Sequence, residues 1–239
     1  MAFDNNPSTL RTGSRAEAMS IDMGLRAYML KVYNYMASAL ALTGVVAMAT
    51  ASSPTMLNTI FGTPLAWVVM LAPLAFMLVL SFGINKMSVT TAQTVFWAFA
   101  AVMGLSMASI FVMYTGTSIA RVFFISAGMF AGMSLYGYTT KRDLSGFGSF
   151  LMMGLIGLLI AMVVNIFLQS SALHFVISAA GVLIFVGLTA YDTQKIKSIY
   201  SEADGSATMT KKVIMGALTL YLDFINLFLM MLRLFGERR

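Results

Sequence analysis

Seven apolar stretches, each close to twenty residues long, run from residue 29 to residue 235 with short polar breaks between them. About 20 apolar residues in a helix cross the hydrocarbon core of a bilayer. A helix also satisfies its own backbone hydrogen bonds where no water can reach. The stretches cover 29–51, 64–83, 94–114, 118–138, 148–168, 173–193 and 213–235, most of a 239-residue chain. The expected fold is an all-α membrane protein, a seven-transmembrane helix bundle. A polar cytoplasmic tail over residues 1–27 precedes a membrane domain over residues 28–239. Charged residues make up only 10% of the chain, where a soluble domain carries about 25%.

The breaks carry turn chemistry at Ser52-Ser53-Pro54, Gly83-Ile84-Asn85-Lys86, Thr115-Gly116-Thr117 and Lys141-Arg142-Asp143. The last break, Thr193 to Lys212, is long and polar with Gly205 at its centre. Most breaks are short, so consecutive helices run antiparallel. Arg11, Arg15 and Arg26 lie in the tail and Lys86 in the second connection. Lys141 and Arg142 lie in the fourth, and Lys195, Lys197, Lys211 and Lys212 in the sixth. The first, third and fifth connections hold no Lys or Arg. Cytoplasmic loops are the ones enriched in these residues, which places the N-terminus in the cytoplasm. Seven spans then put the C-terminus outside, although it carries Arg233, Arg238 and Arg239. A last segment that re-enters is the alternative; seven spans is preferred because early helices dominate orientation.

The net charge of +6 is scattered over loops and segment ends. It suits topology and anionic lipid, and no nucleic-acid partner is expected. The chain has no cysteine, which excludes disulfides, thiol catalysis and cysteine metal sites. The polar start, with Asp4, Glu17 and Asp22, is unlike a cleaved signal peptide. No HExxH motif and no Ser–His pair within the spans is present, so no enzyme is expected.

Two of the nine acidic residues sit in or at the end of apolar stretches: Asp223 in the middle of 213–235, and Asp192 at the end of 173–193. A carboxylate at membrane depth is costly, faces a protein interior and marks an ion or proton pathway by default. Asp223 lies ten residues into its stretch, about 15 Å along a helix. The two stretches are consecutive, so the carboxyls can meet if the sixth helix continues past Asp192. A close pair titrates as a unit, and a divalent cation competes with its proton. Calcium takes about six to eight oxygens and two carboxylates supply at most about four. Binding at Asp192 and Asp223 is therefore weak, which suits an ion in transit. The plainer alternative is that each aspartate only fixes helix packing. Thr219, Asp223 and Asn226 share one helix face at i−4, i and i+3, which reads either as a secondary lining or as packing glue.

Gly128 and Gly132 form a small-xxx-small pair, read as a site of close helix packing. Twenty-two methionines, including Met103/Met107 and Met129/Met133, read as filler between helices rather than a copper path. His174, alone at the outer end of the sixth stretch, reads as an interface residue.

The segments Gly187-Leu-Thr-Ala-Tyr-Asp192-Thr-Gln-Lys-Ile196 and Leu220-Tyr-Leu-Asp223-Phe-Ile-Asn226-Leu-Phe228 resemble the Bax inhibitor-1 (transmembrane Bax inhibitor motif) family in its bacterial branch. The opening YMLKVYNY, Tyr28 to Tyr35, agrees. The resemblance implies six helices around a central C-terminal one, in the bacterial inner membrane. It implies a pH-sensitive calcium leak in which the aspartates corresponding to Asp192 and Asp223 share a proton as a gate. It also implies a basic latch on the second helix. That stretch has no Lys or Arg here, and Lys86 just past its end is the possible latch.

The expected function is a passive, pH-modulated cation leak gated by Asp192 and Asp223, with no cofactor beyond transient calcium. The expected partners are the lipid bilayer and calcium or other cations. The alternatives are a regulatory protein that contacts a membrane partner such as a protease through its tail, and a proton-coupled exchanger.

Overall fold

The structure, a computed structural model, describes residues 7–239, with side chains from residue 23. Asp4 and the side chains of Arg11, Arg15, Glu17 and Asp22 lie outside the described residues. The chain forms α1 (Pro7–Ala51), α2 (Pro54–Phe61), α3 (Leu65–Gly83), α4 (Val89–Met113), α5 (Gly116–Thr139), α6 (Ser145–Leu168), α7 (Ser171–Ser198) and α8 (Ser206–Phe235). Seven of these are long and apolar enough to cross a membrane, the exception being α2. They match the seven stretches.

Two elements differ from the sequence reading. Ser52-Ser53-Pro54 reads as a turn but starts α2: the Ser53 hydroxyl accepts from the Met56 N–H and Pro54 occupies the first turn. A serine followed by proline is a helix N-cap as readily as a turn, because the missing proline N–H would be unsatisfied there anyway. The polar connection expected from Thr193 to Lys212 shrinks to residues 199–205, since α7 runs on to Ser198 and α8 begins at Ser206. Lys195 and Lys197 lie in the last turn of α7, where cations suit the helix dipole. The Lys197 ammonium donates to the Tyr138 carbonyl at 2.8 Å and the Lys212 ammonium to the Ile199 carbonyl at 2.7 Å. These polar residues extend the helices past the membrane instead of breaking them.

Helix α8 is the hub. In it 72% of the most apolar window is buried, against 44% in α7 and 28% or less in the other five spans. It touches α1, α3, α4, α5 and α7. Around it α1 packs on α4, and α7 packs on both α5 and α6. The outer helices turn large apolar side chains outward, with Phe82 81% and Phe167 82% exposed, as a lipid-facing surface requires.

The α5–α7 approach is nearly backbone to backbone, because a β-carbon on Gly137 would land on the Ala190 carbonyl. Gly104 brings α4 onto α1 in the same way, 2.7 Å from the Thr43 carbonyl when given a β-carbon. The pair expected to do this, Gly128 and Gly132, does not. Both are exposed, and a β-carbon on either meets nothing within 4 Å among the described residues. Their spacing marks one helix face, but that face points away from every neighbour.

Helix α8 runs through without a re-entrant break and ends beside the α4–α5 connection. There Thr115 N–H donates to the Glu237 carbonyl and Arg239 N–H to the Met113 carbonyl, each at 3.0 Å. The Glu237 carboxylate meets Arg121 at 3.3 Å. This hook ties the C-terminus to the end of the bundle opposite the α3–α4, α5–α6 and α7–α8 connections.

Candidate functional site

Helices α7 and α8 run antiparallel, with Gly216 against Ile196 and Gly181 against Met230. This register sets Asp192 level with residues 219–220, so its carboxyl reaches one turn further to meet Asp223. The two carboxyls are close enough to act directly on each other. Two carboxyls this close can hydrogen-bond each other only when one carries a proton, since an ionised carboxylate only accepts. Asp223 is 5% exposed, and its Oδ2 is buried with no hydrogen-bond partner. Asp192 is half-buried. The pair therefore faces outward on its Asp192 side and is sealed on its Asp223 side.

Among the described residues no cluster of three or more His, Asp or Glu side chains could hold a metal. The aspartates offer a cation two carboxyl groups and no third acidic ligand. Lys195 lies one turn beyond Asp192 on α7, with its ammonium 5.9 Å from the Tyr191 ring centre. Lys86 is exposed in the α3–α4 turn. The ion pairs among the described residues are Arg121–Glu237 and Lys212–Asp204, so Lys86 is not paired with Asp192. The other two residues of the stripe bond their own helix. The Thr219 hydroxyl donates to the Met215 carbonyl at 3.0 Å and the Asn226 amide to the Leu222 carbonyl at 2.8 Å. Both keep their place on the Asp223 face without bonding across to a neighbour through these donors.

The sequence reading missed a chain of hydroxyls beside the pair. Tyr33 on α1 bonds Ser134 on α5 at 2.7 Å, and Ser134 bonds Thr193 on α7 at 2.9 Å. Thr193 donates to the Thr189 carbonyl at 2.7 Å. With that proton committed, Ser134 donates to Thr193 and Tyr33 donates to Ser134. The chain ends at the Thr189 carbonyl, three residues before Asp192, so it positions α7 and does not relay protons. A second link lies two residues before Asp223, where the Tyr221 hydroxyl meets Thr43 of α1 at 2.7 Å. Hydroxyls repeated at four-residue spacing, as at Thr189 and Thr193, were the signal available in the sequence.

Helices α1 and α5 barely touch, and a groove of ≈510 Å³ lies between them. Met29, Met36, Phe130 and Leu135 line it, with Tyr33 and Ser134 in its wall and Arg26 at one end.

The family profile described as "Inhibitor of apoptosis-promoting Bax1" matches residues 25–239. The chain is 52% identical over 231 residues to the uncharacterised protein RP147 of Rickettsia prowazekii, covering 97% of each chain. It is 49% identical over 219 residues to the inner membrane protein YbhL of Escherichia coli, covering 90% of this chain and 94% of that one. An uncharacterised Caulobacter vibrioides protein is 48% identical over 231 residues, 92% of each chain.

Proposed function

Since the chain belongs to the Bax inhibitor family, we propose that this membrane protein provides a passive, pH-modulated leak for cations, with calcium as the cargo. The observation that carries the reading is the carboxyl pair between α7 and the central helix, with a buried Asp223 oxygen that has no partner. A buried carboxyl pair that shares one proton carries a single negative charge, and the shared proton holds the two groups together and keeps the bundle closed. Loss of that proton leaves like charges in contact, which repel and attract a cation. Proton and cation compete for the same oxygens, so acid closes the path and alkali opens it. Weak coordination by two carboxylates lets the ion leave again.

The N-terminus lies in the cytoplasm of a bacterium on this reading, with the inner membrane as its location. Arg26, Lys86, Lys141, Arg142 and Lys195 then lie toward the inner face, as the charge rule for loops requires. Lys195 replaces Lys86 as the cation that attends the closed pair.

The test is calcium flux into liposomes holding the purified full chain, across a pH series. Wild-type flux is expected to fall with acidification. Asp223→Asn is expected to flatten the profile, because an amide neither releases a proton nor binds calcium as a carboxylate does. Flux with an unchanged pH response in that variant removes the pair from the mechanism.

A further inference from the structure

Four arginines, Arg121, Arg233, Arg238 and Arg239, sit at the end of the bundle that the charge rule leaves poor in cations. Arg121 among its neighbours is accounted for by Glu237. Arg233 and Arg238 have no carboxylate partner among the described residues. We infer that these two arginines, with His174 and Asn165, form a binding site for the phosphate of an anionic phospholipid.

A cavity of ≈420 Å³ opens among the ends of α4, α6, α7 and α8, and Arg233, Arg238, His174 and Asn165 supply its polar wall. It shares Asn165, His174 and Arg238 with a second cavity of ≈340 Å³ that reaches Ser170 and Ser171 at the start of α7. No acidic side chain lines either cavity. The C-terminal hook fixes one of the two guanidinium groups. Arg238 pairs through its backbone with Tyr114, its guanidinium lies 6.0 Å from the Tyr114 ring centre, and Arg239 N–H is bonded to Met113. Guanidinium forks match phosphate oxygens two at a time, and Arg is less strongly hydrated than Lys. The first turn of α7 adds the partial positive charge of its free N–H groups to the same space.

The remaining wall decides between free phosphate and lipid. Met162, Ile166 and Ile177 line the larger cavity beside the arginines, and Ile166 is 68% exposed on the outer surface of α6. An inorganic anion has no use for that apolar side. A phospholipid places its phosphate on the arginines at the end of the bundle and its acyl chain along α6. The site also explains why arginines collect on this face: they are held for lipid and do not set orientation.

The test is native mass spectrometry of the full chain in detergent, with phosphatidylglycerol, phosphatidylcholine of the same acyl chains, and inorganic phosphate as separate arms. Phosphatidylglycerol is expected to be retained roughly tenfold better than phosphatidylcholine, the scale of one strong charge-assisted contact. Arg233→Gln with Arg238→Gln is expected to abolish the preference. Arg142→Gln, at the opposite end, is expected to keep it. If the double variant does not fold, the two single variants carry the test and each is expected to lose part of the preference. Three results overturn the proposal: equal retention of the two lipids by the wild type, an undiminished preference in the arginine variants, or phosphate binding that depends on the arginines with no lipid preference. None of these readouts depends on calcium flux.

Discussion

The Ala190 carbonyl on α7 occupies the space that a β-carbon on Gly137 of α5 would need. Ala190 lies two residues before Asp192, so this contact fixes how deeply α5 seats against the half of α7 that carries the aspartate. Gly137→Ala forces backbone against side chain and is expected to cost about 1–3 kcal/mol. Gly132→Ala, with open space around it, is expected to stabilise by about 0.4–1 kcal/mol, because alanine loses less backbone freedom in a helix. Thermal unfolding of both variants in detergent compares them. Equal effects would show that α5 and α7 do not meet at Gly137.

On the proposed function, calcium held by the carboxyl pair stabilises the folded chain, because an unfolded chain does not hold two aspartates together. The proton competes with the ion, so the calcium-induced rise in melting temperature is expected to be larger at alkaline than at acid pH. The apparent affinity should change by up to about tenfold per pH unit for each proton displaced. Asp192→Asn with Asp223→Asn is expected to remove the calcium effect at every pH. A persistent effect would place calcium elsewhere.

The hydroxyl chain from Tyr33 through Ser134 to Thr193 crosses three helices. Tyr33→Phe and Ser134→Ala are each expected to destabilise by about 1 kcal/mol, the net worth of one buried hydrogen bond. Both changes remove the same Tyr33–Ser134 bond, so the double variant should lose less than the sum. Additive losses in chemical unfolding would show that the links act separately.

Asp143 precedes α6 and its carboxyl is held below the usual carboxylate range by hydrogen bonds from Ser145, side chain first and then backbone N–H. A depressed carboxyl contributes stability above its unfolded value and loses it as pH falls through its folded value. The start of α6 is therefore expected to fray in acid, below the ordinary carboxylate range. Asp143→Ala should show the same fraying at neutral pH. Hydrogen exchange at residues 145–148 measures it, and identical exchange in variant and wild type would contradict this role of Asp143.

The seven spans were legible because apolar length reports membrane crossing directly. Which helix lies at the centre was not legible from apolarity. Helix α6 has a mean hydropathy of 2.6 and α8 only 1.9, yet α6 is the least buried span and α8 the most. Lipid is as apolar as a protein core, so hydropathy does not separate inside from outside. The residues that did report the interior were the polar ones, Thr219, Asp223 and Asn226, which are too costly to face lipid. Gly128 and Gly132 misled because spacing identifies a face without identifying its neighbour. The arrangement at Asp192 was legible only in part, since Lys195 and Thr193 lie beside it on turns of α7 that sequence alone read as loop.

The helix that most of the bundle leans on is synthesised after the helices that surround it. When α7 leaves the ribosome, Thr43 still awaits Tyr221 and Asp192 still awaits Asp223. The first six spans must hold an open ring in the bilayer until Ser206–Phe235 arrives to fill it. A chain cut between Ser198 and Ser206 therefore lacks the middle of the protein rather than its edge.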